Sequence, residues 1–217
     1  MKTLDYRVAR KRMVEEQLIA GGVCNKRVLE VMGEIPRHLF VEKGLEDQAY
    51  LDRPMTIGSG QTISQPFIVG VMTQALELKG DERVLEVGTG SGYQAAVLAA
   101  LTKKVYTIER IHSLSVRGRK ILYRLGMNNI AFKIGDGTLG WPEEAPFDAI
   151  LVTAAGPEIP AALKSQLKEG GRLVIPVGAS ESQKLCLVTR AGDQFTTTVL
   201  SECRFVKLIG KEGWSGE

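Results

Sequence analysis

The run Val84-Leu85-Glu86-Val87-Gly88-Thr89-Gly90-Ser91-Gly92 constrains this fold more than any other part of the chain. Residues 84–87 suit a buried strand and lead straight into a turn with glycine at every second position. An alanine-rich stretch of helical composition, 93–101, follows at once. Strand, glycine turn and helix in that order open a doubly wound α/β unit of the nucleotide-binding kind. Glycine accepts positive φ and lets a ligand approach the backbone, at an entropic cost that a plain turn does not require. A dinucleotide fingerprint, G-x-G-x-x-G, needs glycine at position 93, where this chain has Tyr93. The spacing is instead G-x-G-x-G, a form common around S-adenosylmethionine, which presents an amino acid, a sulfonium and an adenosine but no pyrophosphate. The competing reading is a tight strand-to-helix turn that binds nothing.

The segments on either side extend this pattern. Residues 1–80 read as a helical preface, with helices expected over 6–20, stopped by Gly21-Gly22, and over 26–33, ended by Pro36. Residues 51–60 carry Pro54, Gly58 and Gly60 and read as loop. Pro66 suits the first turn of a further helix, to which Val69, Met72 and Leu76 give a buried stripe. Strands are then expected over 84–87, 105–108, 131–134, 149–153 and 173–177, with helices over 93–101, 113–125 and 159–167. Gly126 and Gly170-Gly171 read as helix stops. Such alternation implies a mostly parallel open sheet covered by helices. Residues 184–189 and 195–200 form an expected hairpin through Ala191-Gly192-Asp193-Gln194, and 204–209 is a last β-like run. The fold class is thus a Rossmann-like α/β sheet with antiparallel C-terminal strands and an N-terminal helical extension. The domain expectation is a single unit over 1–217, with a donor-binding core over 81–217.

Composition narrows the function classes. The chain has 217 residues, 44% hydrophobic and 24% charged, as in a soluble globular protein. No apolar run approaches the roughly 18 residues of a membrane span, and residues 1–12 lack the apolar core of a secretory signal. A net charge of +3 gives no argument for a nucleic-acid partner. Cys24, Cys186 and Cys203 are scattered without metal-ligand spacing and read as ordinary buried or half-buried thiols. The expectation is a cytoplasmic monomer with no metal, no membrane and no nucleic acid.

Polar residues at strand ends are the first candidates for chemistry, because ligands of open α/β sheets bind beyond the carboxyl ends of the strands. Glu109 follows the second core strand and can accept hydrogen bonds from ribose hydroxyls, unless it is only a solvated charge. Asp136, in Gly135-Asp136-Gly137, can take an adenine amine or simply close an Asx turn. Glu86 can receive loop N–H groups or attract the donor's ammonium. A second constellation is Gly58-Ser59-Gly60-Gln61-Thr62-Ile63-Ser64-Gln65-Pro66, just before a helix whose free N–H groups favour an anion. There, cap and catalyst are both open readings for Ser64. His38 and His112 are remote in sequence from both constellations, so no general base is evident. A hydroxyl or amide nucleophile wants such a base, whereas a carboxylate, with a reference pKa of about 4, is already ionised at neutral pH.

Residues 84–96 resemble the donor motif of the protein-L-isoaspartate O-methyltransferases, and Gly60-Gln61-Thr62-Ile63-Ser64-Gln65-Pro66 is similar to that family's own signature. Gly135-Asp136-Gly137, Phe147-Asp148-Ala149-Ile150 and Pro176-Val177-Gly178 resemble further family blocks in family order. The resemblance implies repair: a methyl group passes from S-adenosylmethionine to the free carboxylate of isoaspartyl residues in damaged proteins and peptides. S-adenosylhomocysteine is left, and the ester closes through succinimide toward normal aspartyl. It implies Ser64 as the active-site serine. Around the donor it places Gly88, Gly90, Glu109 and Asp136, and Thr62, Ile63, Glu86, Thr89, Ser91, Gly92 and Gly137 complete the expected donor site. Lys207 stands where the family often has proline, and residues 210–217 match no family block. A methyltransferase of a small acid or of RNA, and a donor-binding module without catalysis, are the alternatives.

Overall fold

The computed structural model describes residues 5–179 and 181–216. The first four residues of the polar N-terminus and Glu217 of the tail lie outside the described residues. Asp5 caps helix α1 (Tyr6–Arg12), its carboxylate accepting from Arg7 N at 2.9 Å. The helix expected over 6–20 continues past α1 as a π-helical run, Met13–Ile19, which buries Met13 and Leu18. Gly22, at φ +101°, turns the chain away. Helix α2 (Lys26–Glu34) is capped by Asn25, which accepts from Val28 N. The expected loop over 51–60 is instead largely a hairpin, β1 (Met55–Gly58) pairing antiparallel with β2 (Gln61–Ile63). Met55, Ile57 and Ile63 are its buried residues, while Gly58, Ser59 and Gly60 make the turn with positive φ. Glycines that signalled a loop therefore serve a tight turn between short strands. Helix α3 (Pro66–Ala75) follows with proline at its first position.

The main sheet has β3 (Arg83–Val87), β4 (Lys104–Glu109), β5 (Ile130–Ile134), β6 (Phe147–Val152), β7 (Leu167–Ala179), β8 (Ser182–Ala191) and β9 (Gln194–Cys203). Their order is β5-β4-β3-β6-β7-β8-β9, parallel as far as β7 and antiparallel over the last two pairings. Helices α4 (Tyr93–Leu101), α5 (His112–Arg124) and α6 (Ala161–Ser165) connect the parallel strands. The helix expected over 159–167 is shorter, because Pro160 precedes its first turn and Leu167 pairs with Phe147 in β7. Gly170-Gly171 is accordingly not a helix stop but part of an irregular stretch of β7, where the register with β6 shifts. Residues 204–209 are not a strand: Lys207 and Ile209 make only isolated bridges, to Ala155 and Trp214. Cys24 is exposed, whereas Cys186 is buried and Cys203 half-buried.

Alternation along the strands sorts the core into two faces. Val84, Val105, Ala149 and Leu151 join the preface helices and α4 in one cluster, while Leu85, Val87, Ile108, Ile150 and Val152 join Leu163, Leu173 and Ile175 in the other. Helix α4 has no polar face, since every residue from Tyr93 to Ala99 is buried, and the preface supplies its outer cover. Truncating Leu98 there to alanine would cost roughly 2–5 kcal/mol. β4 and β5 lie on one side of β3 and β6 on the other. The order of the sheet therefore reverses between β3 and β6, and a crevice opens past their carboxyl ends.

Candidate active site

The glycine turn lies at this reversal. Gly88, Gly90 and Gly92 all have positive φ, at +96°, +50° and +88°, so the sequence pattern reflects a backbone that other residues adopt only under strain. A Cβ on Gly88 would also run into the Thr153 hydroxyl. That hydroxyl donates to Gly88 O at 2.7 Å and Val87 O at 3.1 Å, tying the end of β6 to the turn. Gly92 packs against α5, where a Cβ would come within 3.3 Å of Gly118 Cα.

A cleft of about 820 Å³, open solvent at its mouth included, runs along the turn. Thr62, Ile63, Ser64, Gly88, Thr89, Gly90, Ser91, Glu109 and Gly137 line it, all of them candidates from the sequence. Glu109 closes the end of β4, its carboxylate accepting from Gly90 N at 2.9 Å and Ile111 N at 2.8 Å. Two lone-pair sites on that carboxylate remain for other donors.

Glu86, Gly92 and Asp136 are not among the lining residues. Glu86 is fully buried in β3, and the loop N–H groups expected at its carboxylate go to Glu109 instead. Thr107 Oγ1 donates to Glu86 Oε2 at 2.5 Å and lies 2.6 Å from Thr89 Oγ1, while Glu86 Oε1 has no partner among the described residues. Burial pushes the Glu86 carboxyl up to about 8, against the Thr107 hydrogen bond and with help from the Glu109 charge, so at neutral pH it is mostly uncharged. Asp136 closes the Asx turn, accepting at Oδ1 from Thr138 N at 2.9 Å and Thr138 Oγ1 at 2.7 Å. Its Oδ2 accepts from Lys211 N at 2.7 Å. Burial acts to raise the Asp136 pKa, but the bonds from Lys211 and Thr138 outweigh it and hold the carboxyl below the usual carboxylate range.

The Ser64 segment is positioned by others. Cap duty at α3 falls to Asp52, whose Oδ1 accepts from Phe67 N at 2.9 Å, so the anion expected at that helix start is the protein's own. Ser64 makes no side-chain cap, and its hydroxyl has no hydrogen bond to another described residue. A second cleft, about 670 Å³ on the same measure, lies between α3 and residues 201–206. Thr62, Ser64, Thr153 and Val206 line both clefts. Neither histidine lines either cleft. His38 stacks on Tyr6 at 4.0 Å and shares a hydrogen bond with Tyr50 Oη at 2.7 Å. No group of three or more His, Cys, Asp or Glu among the described residues can hold a metal ion. Sequence reasoning missed Thr153, though a polar residue at a strand's carboxyl end was a legible signal. It also missed the wall formed by 206–209, where Lys207 rests its ammonium 5.5 Å from the Trp214 ring, a long-range contact without a local pattern.

Residues 9–213 match the family model "Protein-L-isoaspartate(D-aspartate) O-methyltransferase (PCMT)". Protein-L-isoaspartate O-methyltransferase 1 of Syntrophobacter fumaroxidans is 55% identical over 98% of this chain and 100% of its own. The Syntrophus aciditrophicus relative is 58% identical over 97% and 98%. A solved protein-L-isoaspartate O-methyltransferase superposes with a TM-score of 0.86 at 30% identity, over 94% of this chain and 67% of that one. A Plasmodium falciparum structure, described as a complex with S-adenosyl-L-homocysteine, gives 0.80 at 26% identity over 92% and 98%. By a family model spanning nearly its whole length and by relatives more than half identical, this chain belongs to the protein-L-isoaspartate O-methyltransferase family.

Proposed function

We propose that the chain methylates the free carboxylate of L-isoaspartyl residues, with S-adenosylmethionine along the glycine turn and the damaged peptide entering through the second cleft. The observation that carries this reading is the shared wall, because Ser64, with an unengaged hydroxyl, stands where the two clefts meet. The residues fit the donor. Side-chain-free backbone at Gly88 and Gly90 admits a close ligand, and the free lone pairs of Glu109 suit the two ribose hydroxyls. When bound, S-adenosylmethionine supplies a methyl group on a cationic sulfur. Ser64 donates a hydrogen bond that orients the acceptor carboxylate, and no residue has to remove a proton, because the acceptor is ionised at neutral pH. The preface and the α/β core work as one unit, in the cytoplasm and as a monomer.

The test uses methyl-labelled donor and two peptides that differ only in an aspartyl or isoaspartyl linkage. Base-labile label on the isoaspartyl peptide alone is expected, whereas label on both or neither overturns the reading. A hydrogen bond to a charged group contributes about 1.5–3 kcal/mol, so Ser64→Ala should lower turnover roughly 10- to 150-fold. Full activity in that variant removes Ser64 from the mechanism.

A further inference from the structure

Arg37 is a fully buried cation with no ion pair among the described residues. It lies in a 3₁₀ turn, Arg37–Phe40, of the preface. Its Nε donates to Ala49 O at 2.7 Å and its Nη2 to Ser64 O at 2.6 Å. The guanidinium carbon sits 4.7 Å from the centre of the Tyr93 ring, and Tyr93 is the first residue of α4, directly after the glycine turn. Burying such a charge is costly unless the geometry around it is good, and an apolar side chain would fill the space with less penalty. A local rule broken in this way is expected where function requires it. The planar guanidinium offers fixed, divergent donors, which a lysine ammonium does not.

We propose that Arg37 is a positioning residue for methyl transfer. It holds the Ser64 carbonyl and sets the Ser64 loop against the helix that follows the glycine turn, so that the Ser64 hydroxyl is presented where the clefts meet. The inference rests on the reading of Ser64 given above. It explains why the serine needs no hydrogen bond of its own to stay in place: the loop is anchored from the opposite end of the same residue, leaving the hydroxyl for the acceptor.

A double-mutant cycle tests it, with kcat and peptide KM measured alongside calorimetric donor affinity and thermal unfolding. Arg37→Lys keeps the charge and loses the fork. Arg37→Gln keeps a planar donor and removes the charge, and it carries the same cycle if lysine is not accommodated. Either variant should lower kcat at least about tenfold while donor Kd stays within about twofold. In the Ser64→Ala background the same change should lower kcat by less than about twofold, because two groups acting through one interaction are not additive. Equal factors in both backgrounds, or unchanged kcat in the single variant, overturn the proposal. Full activity in Ser64→Ala instead overturns the reading of Ser64 on which it rests.

Discussion

Replacing Glu86 by Gln should make the protein more stable, and by an amount that depends on pH. The Glu86 carboxyl is fully buried, one of its oxygens has no partner, and its pKa is raised from the ordinary 4.5 to about 8. Between those values the folded chain keeps a proton that the unfolded chain has lost. With more protons bound in the folded state, stability falls as pH rises through this window, by about 1.4 kcal/mol for each whole step of pH. Across the interval from 4.5 to 8 the loss reaches about 5 kcal/mol, and above 8 it levels off. A glutamine side chain at this position would have nearly the same shape, could accept the Thr107 hydrogen bond and would not titrate. The two proteins should therefore differ least near pH 4.5, and the variant should gain steadily to about pH 8. Denaturant unfolding followed by tryptophan fluorescence at pH 5, 7 and 8.5 measures this directly, since common titrations cancel in the difference. Parallel stability curves, offset by a constant, would refute the burial argument. The same neutral carboxyl has no charge to offer a donor's ammonium at pH 7, so donor Kd in the variant should move less than about threefold.

Glu109→Ala removes the acceptor of two backbone N–H groups and the proposed ribose contact, so calorimetry should show donor affinity reduced roughly 10- to 150-fold, with a smaller change in saturated turnover. Unchanged affinity would end the ribose assignment. Deleting the chain after Ile209 removes five hydrogen bonds to the rest of the protein, from Lys211 N to Asp136, Glu212 N to Thr138 Oγ1, Ala162 N to the Glu212 carboxylate, Trp214 N to Leu208 O and Trp214 Nε1 to Ala155 O. At about 1 kcal/mol each, Tm should fall by roughly 10–20 °C, and a shift under 1 °C would show that the tail does not brace the Asp136 turn. Asp52→Ala should cost about 1 kcal/mol and 2–4 °C in Tm through the lost cap of α3, whereas Ser64→Ala should leave Tm within about 1 °C. The reverse ranking would make Ser64 the structural residue.

Signals carried by local periodicity and turn chemistry could be read from the sequence. The Gly88-Thr89-Gly90-Ser91-Gly92 turn, its flanking strand and helix, and Glu109 at the end of the next strand all depend on neighbours within one βαβ unit. What misled was composition with two structural uses. Pro54, Gly58 and Gly60 suit a loop or a hairpin, and only the buried alternation of Met55, Ile57 and Ile63 decides for β1. Gly170-Gly171 suits a helix stop or a strand irregularity, and pairing with β6 decides for the latter. Roles set by distant segments had no local trace. Lys211 claims Asp136, Asp52 relieves Ser64 of the cap, and Arg37 reaches Ser64 across 27 positions. Each is a tertiary hydrogen bond between residues that share no repeat or motif.

Those long-range bonds bear on the chemistry through a division of labour. A carboxylate acceptor asks little of the protein in proton transfer, and neither cleft presents a histidine. What it does ask for is orientation, because two reactants must meet in line. Groups that could donate to the acceptor must then not be spent on holding the loop together. Asp52 serves the helix start, Arg37 serves the carbonyl, and Thr153 fastens the glycine turn to β6 through its own hydroxyl. With those tasks assigned elsewhere, the Ser64 hydroxyl stays unengaged at the junction of the clefts, which is what the proposed orienting role asks of a serine without a nearby base.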